Sequence, residues 1–363
     1  MSSIFNYVIK YNVTFEEKPF NEVDNLIMSC FSYVNFDGIL SFKDKIMVKD
    51  LYKKFLDNKI KVRNKNIYKL FQLMSFSNRY SSLVVGNYIS ILDSSIEKQF
   101  AAITFFLGGD LVYISYRGTD DSLIGIKEDF NMTYMLKVPS QKESVKYLER
   151  VLKNNSLFAI VGGHSKGGNL AIYASSFCKA KYRKRIIKIY NNDGPGFFNK
   201  IVNSKRYNES LFKIITFVPE TSIIGMLLNH KEKFIVVKSS KKLIMQHDLF
   251  SWKINDDNFE KIEMVNKKSQ YINDIMSTIV LIPKNDKKRF FDIIYQILIS
   301  TNIKTTSDLS QEKIKNIKLI INSYKNLTDE EKTFFLSIWK EIIKVARYNI
   351  KKYLPKIRNS NSK

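Results

Sequence analysis

The residues best placed to do chemistry together are Gly163-His164-Ser165-Lys166-Gly167, a G-x-S-x-G run inside LFAIVGGHSKGGNLAIYAS. An apolar stretch enters it and a helical pattern leaves it, the strand–turn–helix setting in which a serine hydroxyl becomes a nucleophile. Small residues two positions either side of Ser165 let strand and helix pass closely. The helix start then aims N–H groups and a positive dipole end at charge developing on a substrate oxygen. The plainer alternative is a tight crossover with Ser165 as a helix cap; Gly168 and the flanking elements favour the nucleophile.

A hydroxyl needs a base, and the chain holds three histidines. His164 adjoins the nucleophile, and its ring should point away from the turn that presents Ser165. His230 precedes a predicted strand from Phe234 to Lys238 and so lies at its wrong end, fit for packing or capping. His247, in Met245-Gln246-His247-Asp248, follows that strand, on the carboxyl side where parallel sheets gather their chemistry. His247 is therefore the candidate base. An acid between Ser165 and His247 in chain order should orient the imidazole. Asp193, in Tyr190-Asn191-Asn192-Asp193-Gly194-Pro195-Gly196, is favoured for its rigid turn, and Glu220, after Val218-Pro219, also qualifies. Each has an ordinary alternative, an Asx-turn residue and a solvated loop acid. For the oxyanion, the backbone N–H of Lys166 supplies one donor. Thr119, in Tyr116-Arg117-Gly118-Thr119, offers a second through its N–H and hydroxyl.

These positions require a parallel sheet to hold them. Short apolar strands are predicted at Ala101 to Phe106, Leu111 to Tyr116, Leu157 to Val161, Ile186 to Tyr190, Lys213 to Val218 and Phe234 to Lys238. Helical patterns at Ser140 to Lys153 and Gly168 to Lys179 alternate with them, implying a mainly parallel sheet covered on both faces. Asn21 to Ser32 and Lys43 to Phe76 read as helices. All 13 glycines fall between Gly38 and Gly225, and from about Asn258 onward the spacing is helical. There Thr328 and Glu331 form a capping box, followed by Phe335, Trp339, Ile342, Ala346 and Ile350 at three- and four-residue steps. Pro283 should mark a break and Pro355 an end. The expected organisation is a mostly helical lead-in over 1–95, a core over 96–255 and an all-α C-terminal region over 256–363. That last region could cover the sheet edge, cap the site or meet a partner.

Composition narrows the field. In 363 residues, 59 Lys and Arg face 35 acids, a net charge of +24. Such a charge attracts nucleic acid or anionic headgroups. It is spread along the whole chain without a nucleic-acid-binding motif, so nucleic acid is not an expected partner. Cys30 and Cys178 cannot staple a chain this long and read as buried thiols in a reducing compartment. No metal-ligand spacing is present, so neither metal nor cofactor is expected. With no run of 18 uncharged apolar residues and no signal-like N-terminus, the expectation is a cytoplasmic protein with peripheral contact to anionic membrane as an option.

The turn Arg117-Gly118-Thr119 together with Gly163 to Gly168 is similar to class 3 lipases, whose RGT-type turn supplies an oxyanion donor. Arg117 to Asp121, Gly163 to Asn169, Asn192-Asp193-Gly194-Pro195-Gly196-Phe197, Gln246-His247-Asp248 with Trp252, and Pro19 to Asn25 resemble the bacterial Mbeg-like family more closely. This resemblance spans roughly residues 15 to 255. It implies an α/β-hydrolase fold, a Ser–acid–His site and carboxylic-ester chemistry on a small-molecule or lipid ester. Two departures stand out. Lys166 replaces the apolar residue lipases carry after the nucleophile, which should make the entrance cationic. The lipase acid tends to precede a Val-Pro pair by two residues, where this chain has Thr216, so Asp193 and Glu220 both stay open. The leading expectation is a serine esterase or lipase-like hydrolase. The alternatives are a catalytically inactive binding or scaffold protein on the same fold, and acyl transfer to an acceptor other than water.

Overall fold

The computed structural model describes residues 3–60, 64–153, 156–263, 282–301, 305 and 313–358. Two compact units partition the chain. One comprises Met1–Leu92, Gln99–Gly118 and Pro139–Asn266; the other comprises Asp93–Lys98, Thr119–Val138 and Lys267–Lys363.

The first unit is an α/β-hydrolase fold. Its strands are β1 (Lys45–Met47), β2 (Val84–Asp93), β3 (Lys98–Gly108), β4 (Leu111–Tyr116), β5 (Phe158–His164), β6 (Ile186–Asn192), β7 (Ile214–Pro219), β8 (Phe234–Val237), β9 (Ile254–Asn255), β10 (Asn258–Phe259) and β11 (Lys261–Ile262). Nine of them form one sheet in the order β1-β2-β3-β4-β5-β6-β7-β8-β11, while β9 and β10 pair as a hairpin. Neighbours from β4 to β8 run parallel, and the pairs β1–β2, β3–β4 and β8–β11 run antiparallel.

The period-2 alternation of strand side chains sorts the core into two layers. Ile103, Phe105, Tyr113, Ile160 and Phe217 point to one face, under the helices Glu22–Phe31, Val48–Asp57 and Lys65–Phe76. Ala102, Val112, Ile114, Ala159, Val161 and Ile189 point to the other, under Pro139–Val151 and Lys166–Phe177. Burial on both faces is why these strands read as apolar runs. Parallel register then sets Tyr116 beside Gly163, His164 beside Asn192, Asn192 beside Phe217 and Pro219 beside Val237. The residues just past these strands therefore emerge along a single sheet edge.

All six predicted strands form. The region before residue 95 differs from its helical reading, because β1 and β2 extend the sheet there. So does the stretch after Asn258, where a hairpin strand and β11 replace the expected helix. Trp252, Ile254 and Phe259 are buried with the first unit's core. Losing Trp252 alone would cost about 3–5 kcal/mol, and Phe259 carries the same core past the expected boundary at residue 255.

The second unit is helical: Leu123–Asn131, Lys284–Ile299, Lys313–Lys325 and Asp329–Arg358. Phe130 stacks on Phe291 with centroids 4.3 Å apart, and Phe290 stacks on Phe335 at 5.2 Å. The Lys127 ammonium is buried and pairs with Asp292. Thr328 and Glu331 form the predicted capping box, each backbone N–H donating to the other's side chain at 2.9 and 3.2 Å. Pro283 caps the helix that begins at Lys284. Pro355, predicted to end a helix, lies inside Asp329–Arg358 instead; so near the terminus its missing N–H removes a single hydrogen bond. The side chains of Ala346 and Ile350 lie outside the described residues.

Candidate active site

The nucleophile turn is built on strain and close passage. Ser165 sits between β5 and the helix Lys166–Phe177 with φ 57° and ψ −131°, a conformation costing a non-glycine residue about 1–3 kcal/mol. Its N–H donates to the Asn192 carbonyl at 3.0 Å, and its own carbonyl accepts from Gly168 N–H at 2.9 Å. A Cβ on Gly163 would lie 2.5 Å from the Gly167 carbonyl carbon, and one on Gly167 would lie 2.2 Å from the Tyr116 carbonyl oxygen. That is the physical content of the two motif glycines. Two buried amides brace the turn. Asn192 Nδ2 donates to Gly163 O at 3.1 Å, and Asn169 Nδ2 donates to the carbonyls of Pro195 and Gly196, each at 2.9 Å. The nucleophile helix and the Asp193 turn are thereby tied together.

Asp193 follows β6 in the left-handed region, φ 53°, and is fully buried. Its side chain does not serve its own turn. One oxygen accepts from Ser222 Oγ and from Gly225 N–H at 3.2 Å. The other accepts from His247 Nδ1 at 2.7 Å. A buried carboxylate needs such donors to offset desolvation. Of the two candidate acids, the structure brings Asp193 to His247. Glu220 follows β7, donates its N–H to the Val237 carbonyl at 3.2 Å, and acts electrostatically on Lys238.

His247 ends a 3-10 turn, Leu243–His247, and its side chain is 26% exposed, open enough to meet a substrate. The turn is pinned from within: Gln246 Oε1 accepts from Thr221 N–H at 2.7 Å, and Trp252 Nε1 donates to Gln246 O at 3.0 Å. His164 departs from its sequence reading. Instead of turning away, its ring lies 4.4 Å from the His247 ring, with Nε2 at 2.9 Å from the His247 carbonyl and Nδ1 at 2.9 Å from the Tyr33 hydroxyl. Burial first, then the neighbouring His247, hold its pKa well below the usual imidazole range.

Lys166 corrects another expectation. Its side chain is buried, not at the entrance, and the ammonium donates to the Gln99 carbonyl at 3.0 Å and to Gln99 Oε1 at 2.6 Å. Gly118 lies against the nucleophile: a Cβ there would be 2.2 Å from the Tyr33 hydroxyl, 2.5 Å from the His164 carbonyl and 3.2 Å from Ser165 Cβ. Thr119 belongs to the helical unit, where its hydroxyl donates to Asp129 at 2.7 Å; of the two donors expected from it, the hydroxyl is engaged.

His230 forms a separate buried cluster. Its Nδ1 meets Glu232 Oε1 at 2.9 Å, and Glu232 also accepts from Tyr207 Oη at 2.6 Å and from Thr216 Oγ1 at 2.9 Å. Thr216, at the position where lipases tend to place their acid, thus supports a carboxylate elsewhere. Tyr33 and Ser222 escaped the sequence reading. Neither stands in a motif, and only the fold carries them to the strand ends.

A family model described as Mbeg1-like matches residues 74–296. No curated protein matches the chain. Among solved structures, a mutant form of MDLA from Penicillium cyclopium is 13% identical at a TM-score of 0.39, covering 68% of this chain and 87% of that one. M37 lipase is 16% identical at 0.36, covering 58% and 71%. The match over residues 74–296 takes in more than half of the chain, which belongs to the Mbeg1-like family.

Proposed function

We propose that this member of the Mbeg1-like family is a serine hydrolase acting on carboxylic esters with lipid-like or otherwise apolar acyl groups. The observation that carries the reading is the 2.7 Å His247–Asp193 hydrogen bond on the strand edge that also presents Ser165. A carboxylate accepts only, so Nδ1 of His247 carries the proton and Nε2 is left as the base. Ser165 Oγ attacks the acyl carbonyl while His247 Nε2 takes its proton. The N–H of Lys166, first in its helix, donates to the oxyanion. His247 returns the proton to the leaving alcohol, and water clears the acyl-enzyme with the same base. An apolar substrate is favoured by Leu243, Ile244 and Met245, which stand exposed just before His247. No helix among the described residues is long and apolar enough to cross a membrane.

Ser165→Ala should abolish turnover of short p-nitrophenyl esters while thermal unfolding stays cooperative. A fluorophosphonate should label Ser165 in the folded wild type. Undiminished turnover in the variant, or no labelling of Ser165, would overturn the reading in favour of a binding protein on this fold.

A further inference from the structure

The base reaches its position from a surface turn whose three preceding residues, Leu243, Ile244 and Met245, are about half exposed. One hydrogen bond to Asp193 fixes the ring, and Thr221 and Trp252 pin the turn one residue earlier, at Gln246. The carbonyl of His247 itself is held by His164. His164 closes β5, immediately before Ser165, and its ring reaches the His247 carbonyl at 2.9 Å.

The proton positions follow from the partners. A carbonyl accepts only, so His164 Nε2 carries the proton and donates it to His247 O. Neutral imidazole then has a bare Nδ1, to which the Tyr33 hydroxyl donates at 2.9 Å. Burial keeps the ring neutral, which matters because a second cation with its ring centroid 4.4 Å away would oppose the imidazolium that His247 must become. Gly118 leaves room for the arrangement, since any Cβ there would displace the Tyr33 hydroxyl.

We propose that His164 is a positioning residue, fixed as its Nε2–H tautomer by Tyr33, that ties the backbone of the base to the strand carrying the nucleophile. Through it, the element presenting Ser165 also sets the height of His247. This assignment rests on the serine-hydrolase reading for its kinetic consequence, though not for its geometry.

Two substitutions separate positioning from packing. His164→Phe keeps a ring and loses both hydrogen bonds; His164→Gln loses the ring and keeps a donor near the Nε2 position. Positioning predicts that kcat on short esters falls roughly 10- to 100-fold in His164→Phe with KM within about twofold, and that His164→Gln recovers most of it. Tyr33→Phe, which frees the tautomer, should lose severalfold. The reverse order, Phe more active than Gln at matched thermal stability, would show a packing role and overturn the proposal. A structural readout stands independently of turnover. Long-range proton–nitrogen NMR of the wild type should show His164 protonated at Nε2 and bare at Nδ1 from pH 8 down to 5.5. An Nδ1-protonated or titrating His164 would overturn the assignment even in a fully active enzyme. The expected spectrum in a protein without esterase activity would instead fault only the serine-hydrolase reading.

Discussion

The molecule contains two histidine–carboxylate pairs built alike and placed differently. In one, His247 Nδ1 meets Asp193 at 2.7 Å; in the other, His230 Nδ1 meets Glu232 at 2.9 Å. The first ring is 26% exposed, the second 6%. The first pair stands past the carboxyl ends of β6 and β8, the second before the amino end of β8. His230 Nε2 is buried with no hydrogen-bond partner among the described residues, and its carboxylate is occupied by Tyr207 and Thr216. A histidine on a carboxylate is thus not a site by itself. What sets the two pairs apart is the sheet end each occupies and the exposure left to its ring.

The comparison breaks most readily by exchanging losses. His247→Ala should lower ester turnover at least a thousandfold while the melting temperature moves little, because the ring is partly solvated. His230→Ala should leave turnover per folded molecule within about twofold yet destabilise the fold by about 3 kcal/mol, since it leaves Glu232 buried with fewer donors. Kinetics paired with denaturant unfolding would reveal a swapped pattern and sink the assignment.

Acid separates the pairs next. Burial pushes the Glu232 carboxyl up, but hydrogen bonds from His230 and Tyr207 and the His230 charge win, holding it at about 2. A carboxyl depressed in the fold stabilises above its unfolded value, near 4.3, and loses that contribution as pH falls through the folded one. Unfolding free energy should therefore drop by on the order of 2–3 kcal/mol from this group between about pH 5 and pH 2. Glu232→Gln should flatten that decline; an unchanged slope would show that the carboxyl is not depressed.

The finest cut lies between the two acids considered for the base. Asp193→Asn should cost about a thousandfold or more in kcat, because Ser222 and Gly225 would claim the amide oxygen and turn the amide NH2 toward His247, fixing the wrong tautomer without the charge. Glu220→Gln should stay within about twofold. Equal losses would mean that the orienting charge is shared.

Much of this was legible in the chain because parallel strands write plainly. Most of β4 to β8 is buried, so the strands appear as apolar runs, and the candidate site residues Gly118, Ser165, Asp193 and His247 follow their ends. Legibility failed where direction depends on neighbours far along the chain. Lys166 looks solvent-facing in a motif, yet the carbonyl and amide oxygens of Gln99 draw its ammonium inward. His164 looks like a spacer until the Leu243–His247 turn folds over it. β11 is two residues long, too short to show a period, and the helix Leu123–Asn131 carries few of the apolar steps that would announce it.

That helix sets a timetable for making the protein. Phe130 and Tyr134 leave the ribosome early, but Phe291, the stacking partner of Phe130, follows only 161 residues later. At about 5–20 residues per second, the wait is roughly 10–30 s. Throughout that interval the nascent chain carries greasy side chains with nowhere to go. Until the last third of the polypeptide arrives, the cluster that covers them in the finished molecule cannot form.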